Sequence, residues 1–264
     1  MPSFPARAPG DSQTETLPPR DVPQASVVVP VRNESGNLKP LIDEIVAALA
    51  GRYTFEIIYV NDGSTDATAA ELQTLARTVP ELRFLSHVQS CGQSSAVRTG
   101  VAASRAPLIA TLDGDGQNNP TFIPAMIEIL QSQPAIGLVA GQRVGRKATG
   151  FKKFQSRVAN TVRGAILRDG TRDTGCGLKA FRRALFLDLP YFDGLHRFLP
   201  ALVRREGFGV GYVDVVDRER LHGVSNYGFW DRLWVGILDL AGVWWLIRRR
   251  KRVPQLTEMN RDAD

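Results

Sequence analysis

Two carboxylates two residues apart, Asp113 and Asp115, stand in the run Leu112-Asp113-Gly114-Asp115-Gly116-Gln117. In a glycine-relaxed loop such a pair can converge on one hard divalent cation, Mg²⁺ or Mn²⁺, which favours oxygen ligands and shares them with substrate phosphates. Gln117 can add a third oxygen. An acidic turn with no ligand uses the same residues, so the pair gains meaning only from partners. A second constellation is Asn61-Asp62-Gly63-Ser64-Thr65-Asp66. Here Asp62 can accept hydrogen bonds from the N–H donors of a nucleobase, and Ser64 or Asp66 can cap a following helix. A plain strand–turn–helix connection draws on the same residue types. Pro30-Val31-Arg32-Asn33-Glu34 is the third.

The elements that must position these residues follow from the apolar pattern. Residues 25–30, 55–60, 82–86, 108–112 and 136–140 are short apolar runs of the kind buried strands show. Residues 37–50 carry Leu38, Leu41, Ile42, Ile45 and Leu49 at helical spacing, and 66–77, 94–103 and 120–131 also read as helices. Alternating β and α units predict an α/β fold, a mostly parallel sheet with helices on both faces and right-handed crossovers. Each constellation directly follows a predicted strand. Ligands of open parallel sheets bind outside the carboxyl ends of the strands, so the three loops are expected to share one crevice.

Composition narrows the class. The chain has 264 residues, 43% hydrophobic and 23% charged, which suits one large folded domain and excludes both a disordered chain and a multi-span membrane protein. Its two cysteines, Cys91 and Cys176, form neither a disulfide framework nor a metal-type spacing, which points to a reducing, cytoplasmic compartment. Residues 1–24 are Pro-rich and polar without an apolar signal region, and are expected to be a disordered leader. Charge is uneven: 9 basic and 14 acidic side chains lie in residues 1–140, against 24 and 13 in residues 141–264. A basic second half suits nucleic acid, an anionic membrane surface or a phosphorylated substrate. It includes an amphipathic basic helix expected over about 151–168 and a late strand over 210–216.

Taken together, the blocks VVVPVRNESGNL, EIIYVNDGSTDAT, CGQSSAVRTG, LDGDGQNNP, GQR, DTGCGLKAF and RLHGVSNYG resemble glycosyltransferase family 2. The similarity is to its polyprenyl-phosphate, dolichyl-phosphate mannosyltransferase-like branch and runs from about residue 26 to 227. The resemblance implies a GT-A fold and transfer of a sugar from a nucleotide donor, UDP favoured over GDP, to a polyprenyl phosphate, for envelope glycan or lipid A modification. It implies nucleotide contacts from Pro30, Arg32, Glu34, Asp62, Gln93 and Asp113, and Mg²⁺ or Mn²⁺ held by Asp113, Asp115 and Gln117. Arg143 and Arg157 match arginines that meet donor and acceptor phosphates, so Asp113, Asp115, Arg143 and Arg157 form the implied catalytic set. Acceptor contacts fall to Arg157, Asp173, Arg220, Ser225 and Asn226. Asn226 stands where many mannose-transferring members carry Lys.

The chemistry is coherent with that assignment. A cation at the two carboxylates would neutralise a diphosphate leaving group. A lipid phosphate is already anionic near pH 7, so it needs arginines to orient it more than a base to deprotonate it. A single displacement inverts the anomeric centre. A hydroxyl acceptor would instead need a general base, and Asp173 is the one carboxylate so placed. A non-catalytic nucleotide- or nucleic-acid-binding protein is the other alternative, against which stands the absence of any nucleic-acid-binding motif.

Residues 229–252 decide localisation. The apolar stretch 233–247 is shorter than the ~20 residues a span needs and holds Asp239. An interfacial or re-entrant helix is expected, with its tryptophans at headgroup depth and Arg248–Arg252 on anionic lipid. The expected organisation is therefore a catalytic domain over 25–228, a membrane-facing helix over 229–252 and a polar tail over 253–264. It sits peripherally or monotopically on the cytoplasmic face of the cell membrane, with no nucleic-acid partner and homo-oligomerisation left open.

Overall fold

The computed structural model describes residues 22–144, 163–164, 166–167, 170–171, 173–218 and 229–249. Seven strands form one sheet in the order β3-β2-β1-β4-β6-β5-β7. They are β1 (Ala25–Val31), β2 (Phe55–Asp62), β3 (Leu82–His87), β4 (Leu108–Thr111), β5 (Ile136–Arg143), β6 (Lys179–Arg182) and β7 (Gly209–Val215). The helices are α1 (Leu38–Leu49), α2 (Thr68–Leu75), α3 (Gln93–Ala103), α4 (Ile123–Ser132), α5 (Arg183–Asp188), α6 (Leu199–Arg205) and α7 (Phe229–Arg248).

The first half has the expected parallel pairing, β2 on β1, β3 on β2 and β4 on β1. Successive side chains of a strand point to opposite faces, so the continuous apolar runs feed two cores. Val27, Val29, Val31, Ile57 and Tyr59 pack under α1 and α4, while Val28, Ile58 and Val60 pack against α3 and the α5–α7 region. All five apolar residues singled out in α1 are buried.

The second half departs from the expected rhythm. β6 runs antiparallel between β4 and β5, with Thr111 opposite Lys179 and Ala140 opposite the same residue on the other side. β6, α5 and α6, which are four, six and seven residues long, have no counterpart among the expected elements. β7 closes the sheet parallel to β5, within a residue of the expected span.

α7 packs one side against the second core through Val243, Leu240, Leu246 and Ile247. Arg205 ties down its C-terminus, Nε donating to the Leu246 carbonyl at 2.9 Å and a terminal nitrogen to that of Arg249 at 3.0 Å. The other side leaves Leu238, Trp244 and Trp245 exposed. Arg248 lies 3.9 Å from the Trp244 ring centre and Arg249 5.3 Å from that of Trp245. Among the described residues no helix is long and apolar enough to cross a membrane.

Candidate active site

The loops after β1, β2, β3 and β4 meet at the carboxyl edge of the sheet. Backbone and side chains lock the first two together. Asn33 donates its N–H to Ser64 Oγ at 2.9 Å, and its Oδ1 accepts from the Thr65 N–H at 2.8 Å. Neither expected cap occupies the cap position of α2, which is Ala67; Asp66, one residue earlier, accepts from the Thr68 N–H at 3.0 Å. Gly63 sits at φ 63°, and a Cβ there would lie 2.5 Å from the Ser90 backbone nitrogen, so the turn admits no side chain.

Between these loops lies a cavity of about 230 Å³ whose walls include Pro30, Arg32, Glu34, Asp62, Gln93, Asp113 and Asp115. Every residue to which the family resemblance gives a nucleotide contact is therefore on one surface. Gly114 closes its floor: a Cβ there would meet Val31 Cγ1 at 2.3 Å.

Asp62 lines the cavity with its carboxylate already engaged by the loop after β3. Its carboxylate accepts from His87 Nδ1 at 2.7 Å, Ser90 Oγ at 2.7 Å, and the N–H groups of Cys91 and Gly92 at 2.8 and 2.9 Å. A carboxylate has about four acceptor positions, and this set fills them. Asp62 thus holds the loop after β3 against the cavity wall. Burial pushes its carboxyl up, but the hydrogen bonds from Cys91, His87, Ser90 and Gly92 outweigh this and hold it below the usual range. With Nδ1 donating, His87 Nε2 accepts from Thr99 Oγ1 at 3.0 Å. Asp62, His87 and Cys91 bring one metal-binding atom each within 4.8 Å of one another, but the hydrogen bonds already account for the Asp62–His87 pair.

Asp113 and Asp115 carry the electrostatics. Gln93, at the start of α3, donates Nε2 to Asp113 Oδ1 at 2.8 Å, and the Asp113 N–H donates to Asn118 Oδ1 at 2.9 Å. Asp115 is buried and accepts from the Gln117 N–H at 3.1 Å. Burial first, and then the neighbouring charge of Asp115, push the Asp113 carboxyl up to about 6, against the pull of Lys179, Arg143 and Gln93. Two hard-oxygen donors that repel one another at a cavity wall fit a divalent cation, whose charge would relieve the repulsion.

Arg143, at the end of β5, is not among the cavity residues. Its Nε and a terminal nitrogen grip Asp173 at 2.5 and 2.8 Å, and its other terminal nitrogen reaches Asp217 at 3.3 Å. Burial lowers the guanidinium's proton affinity, but the carboxylates raise it further. Asp173 is pushed up by burial yet held below the ordinary carboxylate range by Arg143 and the Gly175 N–H. Fork and carboxylate thus form a clamp between loops, and an anion so stabilised is a weak base near pH 7.

Two functional neighbours had no signature of their own in the sequence. Lys179 on β6 is buried, donates to the Cys176 carbonyl and sends its charge toward Asp113. Burial pulls its ammonium below the usual lysine range, against the opposing pull of Cys176, Asp113 and Asp173. Asp217, beyond β7, holds Arg143 and accepts from Asn118 Nδ2 at 3.5 Å. Lys179 stood inside the DTGCGLKAF block, whereas Asp217 belonged to none. Arg157, Arg220, Ser225 and Asn226 lie outside the described residues. So does most of the expected basic helix; of its described part, Arg163 is buried with its guanidinium 5.9 Å from the Phe198 ring centre.

Comparison with known proteins agrees with this geometry. Residues 26–189 match the family model described as Glycosyl transferase family 2. The chain is 36% identical to the dodecaprenyl-phosphate galacturonate synthase of Rhizobium johnstonii over 87% of its own length and 69% of that protein's. It is 33% identical to the undecaprenyl-phosphate 4-deoxy-4-formamido-L-arabinose transferase of Pectobacterium carotovorum, over 79% of this chain and 64% of that one. The chain thus spans about two thirds of the length of these relatives. In fold it is similar to glucosyl-3-phosphoglycerate synthase of Mycobacterium tuberculosis, solved with Mn²⁺, UDP and glucosyl-3-phosphoglycerate. That likeness has TM-score 0.63 and 22% identity over 86% of this chain and 80% of the other.

Proposed function

The chain belongs to glycosyl transferase family 2, and on that premise we propose that it moves a sugar from a UDP-sugar to a polyprenyl phosphate, producing a lipid-linked sugar. The observation that carries this reading is the single cavity gathering Pro30, Arg32, Glu34, Gln93, Asp113 and Asp115 at the carboxyl edge of the sheet. Both relatives named above are called polyprenyl-phosphate sugar synthases or transferases, and the fold neighbour was solved with UDP.

In the proposed reaction a phosphate oxygen of the lipid attacks the anomeric carbon, the bond from that carbon to the nucleoside diphosphate breaks, and the configuration inverts. Mg²⁺ or Mn²⁺ bound by Asp113 and Asp115, with Gln117 as a further oxygen, would neutralise charge developing on the departing diphosphate. Gln93 keeps Asp113 turned toward the cavity. Arg32, exposed at the rim, is free to meet a donor phosphate. Arg157, Arg220, Ser225 and Asn226 are assigned to the acceptor on the resemblance of their blocks. The state of Asp173 supports phosphate over hydroxyl as nucleophile, because this carboxylate, the base that a hydroxyl acceptor would call on, is committed to Arg143.

The exposed Leu238, Trp244 and Trp245 of α7, with Arg248 and Arg249 over the indoles, suit the headgroup layer of an anionic membrane. A peripheral position on the cytoplasmic face would bring the cavity to its lipid acceptor. The test of the acceptor compares undecaprenyl phosphate with undecaprenol under identical conditions. Product from the phosphate alone supports the reading, and equal product from the alcohol overturns it.

A further inference from the structure

We infer that Gly177 is a positioning residue whose missing side chain creates the seat of the Asp113 carboxylate. A Cβ at Gly177 would lie 2.3 Å from Asp113 Oδ2, 2.4 Å from Cγ and 2.5 Å from Oδ1. Nothing in the backbone asks for glycine there, because Gly177 is not among the residues at positive φ. Space for the carboxylate is the demand that remains.

The antiparallel strand explains how the two residues meet. In the β4–β6 register Thr111 faces Lys179. Carrying that register two residues further sets Asp113 opposite Gly177, on the face that Lys179 shares by the two-residue period of a strand. Thr111 Oγ1 fixes the approach by donating to the Gly177 carbonyl at 3.0 Å. Gln93 also holds the carboxylate, Nε2 donating to Oδ1 at 2.8 Å. Lys179 supplies a cation nearby, and Gly177 supplies room.

A methyl group at 177 would collide with the end of a side chain that can swing away about two torsions. Folding is therefore spared while the carboxylate loses its place. This inference rests on Asp113 being a cation ligand, and the experiment separates the two. Mn²⁺ binding to full-length protein is measured by the EPR signal of the free ion, without donor or acceptor, for wild type, Gly177→Ala, Gly175→Ala and Asp113→Asn. The expected result is a loss of affinity of roughly 10–100-fold for Gly177→Ala, the range typical of groups that orient a metal ligand, with an unchanged melting temperature for the metal-free protein. Gly175→Ala, whose Cβ would meet a guanidinium nitrogen of Arg143 at 3.0 Å, keeps wild-type affinity. Wild-type affinity in Gly177→Ala, with binding lost in Asp113→Asn, overturns the positioning role alone. Unchanged binding in Asp113→Asn overturns the ligand assignment beneath it. If Gly177→Ala melts well below wild type, the glycine serves folding and the inference falls.

Discussion

An aspartate beside a second aspartate and partly out of water keeps its proton longer than a surface carboxyl does, and Asp113, pushed up to about 6, is in that position. The folded state then binds this proton more tightly than the unfolded chain, so the contribution to stability falls as pH rises from about 4 to 6 and is flat above. A shift of this size corresponds to about 2–3 kcal/mol. A cation must displace the same proton. Mn²⁺ affinity should therefore climb about tenfold per pH unit up to about pH 6 and level off beyond it, and calorimetric titration from pH 5 to 8 showing no slope would refute this. Asp115→Asn should abolish turnover while leaving the melting curve in place; a fully active variant would remove Asp115 from the metal site. Arg143→Ala strands Asp173 and Asp217 without their cation and should cost about 3 kcal/mol in chemical denaturation. At this scale the sequence was most legible where chemistry-bearing residues lie within a few positions of each other, as in the Asp113–Gln117 run. It was least legible where a partner comes from far along the chain. The four donors around Asp62 and the Asp217 end of the Arg143 clamp are such cases.

The elements divide in the same way. Strands β1 to β5 and helices α1 to α4 announce themselves through apolar runs or helical spacing, and their observed bounds lie within a few residues of expectation. β6 holds only Ala180 and Phe181 between Lys179 and Arg182, and its place in the sheet depends on two neighbours rather than on its own pattern. That unannounced strand carries Lys179 and leads from Gly177, so the part of the site least visible in the sequence is its underside. α7 was legible as a helix but not as a docked one: Val243 is 1% exposed while Trp245 is 53% exposed. The double substitution Trp244→Ala, Trp245→Ala should weaken flotation with vesicles containing anionic phospholipid by roughly tenfold, the order expected for losing two interfacial aromatics, without lowering the melting temperature. Salt should weaken wild-type binding as well, since the arginines contribute through screened charge. Unaltered flotation in the double variant would show that this face does not meet the membrane.

Across the whole molecule, charge divides between the two halves of the chain. The acidic first half builds the parallel sheet and the carboxylates of the cavity, while the basic second half holds Arg143, Lys179 and the arginines that close α7. Transfer of sugar from nucleotide to lipid phosphate is measured by incubating the purified chain with undecaprenyl phosphate, Mn²⁺ and a panel of radiolabelled UDP- and GDP-sugars, then counting label in the organic phase. One UDP-sugar is expected to give a lipid-linked product that vanishes with EDTA and in Asp115→Asn. Label that stays in the aqueous phase for every donor, from protein that still binds UDP, would contradict it.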